Sequence, residues 1–118
     1  MPKVAVVFRK WKDTGDVIAL FPELPADIYG WYCDSYMHVG QHGGADYHGV
    51  IIQTVPATPD EYAALSGELN RIGYRLRLLA RASWRQHERR REEARRFRQG
   101  DTGCRRGKSL LTNRQGEP

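Results

Sequence analysis

Between Trp31 and His48 the chain reads WYCDSYMHVGQHGGADYH. These 18 residues hold one of the two cysteines, three of the four histidines, two aspartates and four aromatic side chains. His38, His42, Asp46 and His48 follow the spacing H-x3-H-x3-D-x-H, with Cys33 just upstream. Imidazole, carboxylate and thiolate are ligand types of zinc and other borderline cations, so two or three of them converging would form a metal site. Neither the CxxC pairs of a structural zinc site nor HExxH is present, and loop histidines commonly serve as ordinary hydrogen-bonding residues. Cys33 with His38 or His42 and Asp34 or Asp46 supplies the residue types of a Cys–His nucleophile. In a regular strand, however, Cys33 and His38 point to opposite faces about 16 Å apart, at about 3.3 Å per residue. A buried, unreactive cysteine is the plainer reading. Gly40-Gln41-His42-Gly43-Gly44 resembles an anion-binding backbone nest. It has neither the Lys-Ser/Thr of a P-loop nor GxGxxG. No catalytic set is complete, and zinc on His38, His42, Asp46 and His48 is the one cofactor to test.

Charge gives a second signal. Residues 1–80 carry seven Lys/Arg against nine Asp/Glu, whereas residues 81–98 carry eight Arg against three Glu. A slightly acidic body thus precedes a cationic segment, which points to nucleic acid or an acidic protein surface as partner. The binding candidates are Arg85, Arg89, Arg90, Arg91, Arg95, Arg96 and Arg98, with Arg75 and Arg77 just before them. Tyr32, Tyr36 and Trp31 would serve as stacking platforms wherever they are exposed. No zinc-finger, RRM or KH pattern accompanies the arginines, so contact would be with phosphates rather than sequence. A solubilising helix laced with ion pairs is the plainer alternative.

The elements that must hold these residues follow from pattern. Lys3–Lys10 and Val17–Phe21 read as a hairpin around a turn at 11–16, and Pro22 and Pro25 should end the second strand. A loop over 22–30 leads to a third strand at Trp31–Val39, with Trp31, Cys33, Ser35, Met37 and Val39 facing the core. Gly40–Gly49 reads as a loop and Val50–Val55 as a fourth strand. Thr58-Pro59-Asp60-Glu61 is a helix start with a capping box, and Gly73 a helix stop. Tyr62, Leu65, Leu69 and Ile72 form the buried stripe between them. Tyr74–Ala80 reads as a fifth strand. The expected class is α+β, a small mainly antiparallel sheet in the order β-β-β-β-α-β with one packed helix.

Residues 1–82 then form a compact domain. Ser83 caps a helical arm over 83–99 that protrudes or docks a partner, and the Gly-rich 100–118 is a disordered tail. Cys33 and Cys104 read as free thiols in a reducing cytoplasm. No apolar run nears the length of a membrane span.

The segments FRKWKDTGDVIALFPELPAD, YCDSYMHVGQHG and TPDEYAALSGELNRIGY resemble short uncharacterised bacterial proteins of phages, plasmids and integrative elements. The resemblance covers about residues 4–80 and carries over no catalytic residue. It implies a setting in which small proteins act by binding, as inhibitors of host defence or accessory factors. The expected function is therefore non-enzymatic binding of nucleic acid or an acidic protein. A small metal-dependent or Cys–His enzyme centred on 33–48 is the alternative.

Overall fold

Alternation along β1 (Val4–Trp11) sends Val6 and Phe8 to one side of a sheet and Val7 and Arg9 to the other. Both sides are buried, because helices cover both. A computed structural model of the chain describes residues 3–37 and 41–99. Within them the chain is α+β. β1 pairs antiparallel with β2 (Val17–Pro25), which pairs antiparallel with β3 (Cys33–Met37), which pairs antiparallel with β4 (Gln41–Ala45). The free side of β1 is shared by two three-residue strands. β5 (Thr54–Pro56) lies antiparallel to its last residues and β6 (Leu76–Leu78) parallel to its first. His38, Cys104 and the expected tail at 100–118 lie outside the described residues.

One face of the sheet buries Val6, Phe8, Ala19, Phe21 and Tyr36 beneath Leu65 and Leu69 of α2 (Pro59–Arg71). The helix starts as its sequence prescribes. The Thr58 side chain accepts from the Glu61 backbone N–H, and the Glu61 carboxylate accepts from the Thr58 N–H. Ile72, expected in the buried stripe, is half exposed because the helix ends before it. The opposite face buries Val7, Ile18, Leu20 and Cys33 beneath α1 (Tyr47–Gln53) and α3 (Trp84–Arg98).

Three expectations are corrected. The strand expected at Val50–Val55 is mostly α1, with only Thr54–Pro56 extended. Its β-branched residues are overridden by a tertiary clamp. Arg9 donates through Nη2 to the carbonyls of Ile51 (3.2 Å) and Thr54 (2.9 Å) and through Nε to the Thr54 hydroxyl, fastening the C-terminal end of the helix to β1. The glycine-rich stretch expected as a loop holds β4. The second strand does not stop at Phe21: β2 runs to Pro25, and a register shift between Phe21 and Pro25 takes Pro22, which has no N–H, out of the ladder.

α3 packs on β2 rather than projecting from the body. Its inward stripe is His87, Arg90 and Ala94, at i, i+3 and i+7. Apolar periodicity passes over such a stripe because two of its three members are polar. The loop before β3 comes so close to this helix that only glycine fits. Gly30 has φ 77°, and a Cβ there would lie 3.0 Å from the Arg91 Cα and 3.1 Å from the Ala94 Cβ. Gly30→Ala is therefore expected to destabilise the fold by about 2 kcal/mol or more, from left-handed strain plus overpacking. A urea midpoint within error of wild type would contradict that contact.

Candidate functional site

The turn before β3 is built by one carboxylate. Asp27 accepts from the backbone N–H of Tyr32 (2.9 Å) and of Tyr29 (3.4 Å), and the Gly30 N–H donates to the Asp27 carbonyl. α3 fastens this turn from the other side. Arg90 donates Nε–H to the Gly30 carbonyl (2.8 Å), and Arg98 donates to the Ile28 carbonyl (2.8 Å) while its guanidinium lies over the Tyr29 ring. A loop held this way presents side chains rather than waving them.

What it presents is aromatic. Trp31 is 64% exposed, Tyr29 54% and Tyr32 50%, and across from them Trp84, the first residue of α3, is 70% exposed. Two adjoining open grooves, of about 620 and 320 Å³, run between the turn and α3 and share Trp31 and Arg91. Tyr32, Trp84, Asp46, His48 and His87 border the larger; Tyr29, Arg95 and Arg98 border the smaller. Trp31 was expected in the core. It precedes the strand proper, which begins at Cys33, so its direction is set by the Asp27 turn and not by strand alternation.

At the base of the larger groove, His87 is 9% exposed and Arg90 4%. Arg90 Nη1 donates to His87 Nδ1 at 2.9 Å and to the Pro22 carbonyl at 2.7 Å. The ring of His87 packs edge-on to Tyr47 and lies 5.1 Å from that of His48. Burial first, and the neighbouring Arg90 charge second, push His87 down to about 4. The unfolded chain binds this proton near pH 6.5, whereas the folded chain resists it until about pH 4. Stability is therefore whole above pH 6.5 and is lost as the pH falls. Between pH 8 and pH 5 the loss through His87 is expected to be about 2 kcal/mol. Urea midpoints of wild type and His87→Gln at both pH values check this, and an equal drop in both would contradict it.

The arginines proposed as a binding set divide into distinct roles. Arg90 is turned inward and bonded to backbone carbonyls, so it is a structural residue. Arg91, Arg95 and Arg96 pair with Glu88, Glu92 and Glu93 one turn back, and Arg77 pairs with Glu23. Arg75, Arg77, Arg85 and Arg89 border neither groove. Arg85 and Arg89 are exposed and have no acidic partner among the described residues, and Arg85 lies over the Trp84 ring.

The histidine loop is divided by the sheet. His42, on β4, packs edge-on to Tyr36 and reaches the Tyr74 hydroxyl on the α2 face, whereas His48 lies beside His87 on the α3 face. Asp46, the residue before α1, shares the larger groove with His48. Among the described residues no three His, Cys, Asp or Glu side chains are grouped to hold a metal ion. Cys33 is buried, and desolvation pushes its thiol up to about 12, which leaves it a core side chain without thiolate character. Tyr36, offered as a stacking platform, is buried under α2 and hydrogen-bonds to Glu68. No helix among the described residues is long and apolar enough to cross a membrane.

Sequence comparison matches this chain to no family model and to no curated protein, and structural comparison matches it to no solved structure.

Proposed function

We propose that this protein is a non-enzymatic binding protein that engages single-stranded nucleic acid along α3 and the turn before β3. The observation that carries the reading is the placement of exposed Trp31, Tyr32, Tyr29 and Trp84 beside exposed arginines on one preorganised surface. Large aromatic side chains left in water on a rigid loop mark a contact surface. Aromatic rings bordered by guanidinium groups offer unpaired bases a stacking face and their phosphates a counter-charge. A duplex, whose bases are already stacked, gains only the second.

The ion pairs along α3 set the strength of the electrostatic part. Three of its arginines are partly neutralised by glutamates and one is internal. Exposed pairs of this kind are worth about 0–1 kcal/mol, so a phosphate displaces the glutamate at little cost. Arg85, over the Trp84 ring, and Arg89 are the contacts that need no glutamate displaced, with Arg98 at the far end. About three contacts on a single strand give a slope of log K against log salt near −2. The Arg85→Ala/Arg89→Ala variant is expected to lower that slope by roughly one unit or more with the fold intact. An unchanged slope would remove these arginines from the interface.

An acidic protein face is the second reading, favoured by the exposed tryptophans, tyrosines and arginines themselves, which are the residues of protein–protein hot spots. The setting in a mobile element belongs to the proposal through the resemblance of residues 4–80 alone.

A further inference from the structure

The larger groove has a chemistry that backbone binding does not use. Trp31 and Trp84 stand on its walls, flat apolar surfaces well suited to another flat ring. Its inner end carries His87, more than nine-tenths buried. Arginine can only donate, so the 2.9 Å contact from Arg90 Nη1 makes His87 Nδ1 the acceptor and places the ring proton on Nε2. Among the described residues that Nε2–H meets no acceptor. His87 lines the groove, so this N–H is a donor that a ligand entering the groove can meet. Asp46 supplies the opposite function on the same groove, an exposed carboxylate that accepts and cannot donate when ionised. Its side chain lies against Gly49, where a Cβ would come within 2.9 Å of Oδ2, so the residue type at 49 fixes where the carboxylate rests.

We infer that this groove takes one unstacked nucleobase and prefers guanine. The base lies against the indoles of Trp31 and Trp84, His87 Nε2–H donates to the O6 carbonyl, and Asp46 accepts from N1–H and the N2 amine together. Guanine alone offers a carboxylate two adjacent donors beside a carbonyl; adenine and cytosine offer the amine alone, and thymine and uracil the single imide N3–H. Arg91, at the junction with the smaller groove, then stands beside the strand as it passes on. This inference rests on the single-strand reading above and adds a base preference to it.

The test compares dT12 with dT12 carrying one central dG, dA or dC, each titrated against the full chain and read by fluorescence anisotropy. The dG strand is expected to bind fivefold or more tighter than dT12. The preference is expected to vanish in Asp46→Asn, which keeps the shape and removes the anion, and in Gly49→Ala, which displaces the carboxylate. Binding of dT12 itself should persist in both variants. Equal affinity for all four strands overturns the base pocket while leaving the single-strand reading intact. A preference that survives both variants overturns its assignment to this groove. Failure of every strand to bind overturns both.

Discussion

Arg90→Ala is expected to be the most damaging single substitution in the helix, lowering stability by about 3–5 kcal/mol. The arginine is 4% exposed, and its fork holds the Gly30 carbonyl, the Pro22 carbonyl and the His87 ring together. Alanine leaves buried acceptors with no donor and a cavity between α3 and β2. Each unmet buried group costs about 1–3 kcal/mol before the lost packing is counted. Lysine does not rescue it, because one ammonium cannot span three acceptors in the plane of a guanidinium. Arg89→Ala, one residue away and exposed, is expected to change stability by no more than about 0.5 kcal/mol. Urea denaturation of the three variants decides the matter. Similar losses for Arg89→Ala and Arg90→Ala would mean that helix charge in general, and not this clamp, holds α3 to the sheet.

Removing the two exposed tryptophans is expected to have the opposite profile, with a large loss of binding and little loss of stability. Trp84 is 70% exposed and Trp31 64%, so neither contributes much to the core. If each stacks a base, its removal costs about 1–3 kcal/mol, which is about five- to 150-fold in affinity for a single strand. The paired variant Trp31→Ala/Trp84→Ala should therefore lose at least tenfold while its thermal midpoint stays within a few degrees of wild type. The arginine variant at 85 and 89 differs in kind: it lowers the salt slope, whereas the tryptophan variant weakens binding at every salt concentration. The two sets thus separate stacking from charge.

The residues that carry this account were only partly legible in the sequence. The capping box at Thr58 and the cap at Ser83 were, because a cap is a local arrangement of side chain and backbone. So was the α+β class, since strand alternation in β1 and helical spacing in α2 are both read within one element. The clamp made by Arg9 was not, because its partners lie 42 and 45 residues away, and it turns VIIQ from strand to helix. Arg90 was grouped with its neighbours as a surface cation for the same reason. Nothing local distinguishes it from Arg89 or Arg91; what sets it apart is Gly30, 60 residues earlier in the chain. The run of chemistry-bearing residues at 31–48 marked the right region with the wrong partition. The sheet passes between His42 and His48, and the site draws Trp31, Asp46 and His48 from that run and Trp84 and His87 from the helix. Glycine offered the one usable hint of that long-range contact, since Gly30 permits the close approach that brings turn and helix together.

The central claim is that exposed aromatics and arginines on one rigid surface bind single strands. Equilibrium binding of dT12 and of a 12-base-pair duplex to the wild-type chain and to Trp31→Ala/Trp84→Ala, at low and moderate salt, tests it most directly. The account predicts that wild type prefers the single strand, that its affinity falls with salt, and that the variant loses at least tenfold of it. Equal affinity of variant and wild type for dT12, or no binding by wild type at low salt, would contradict it.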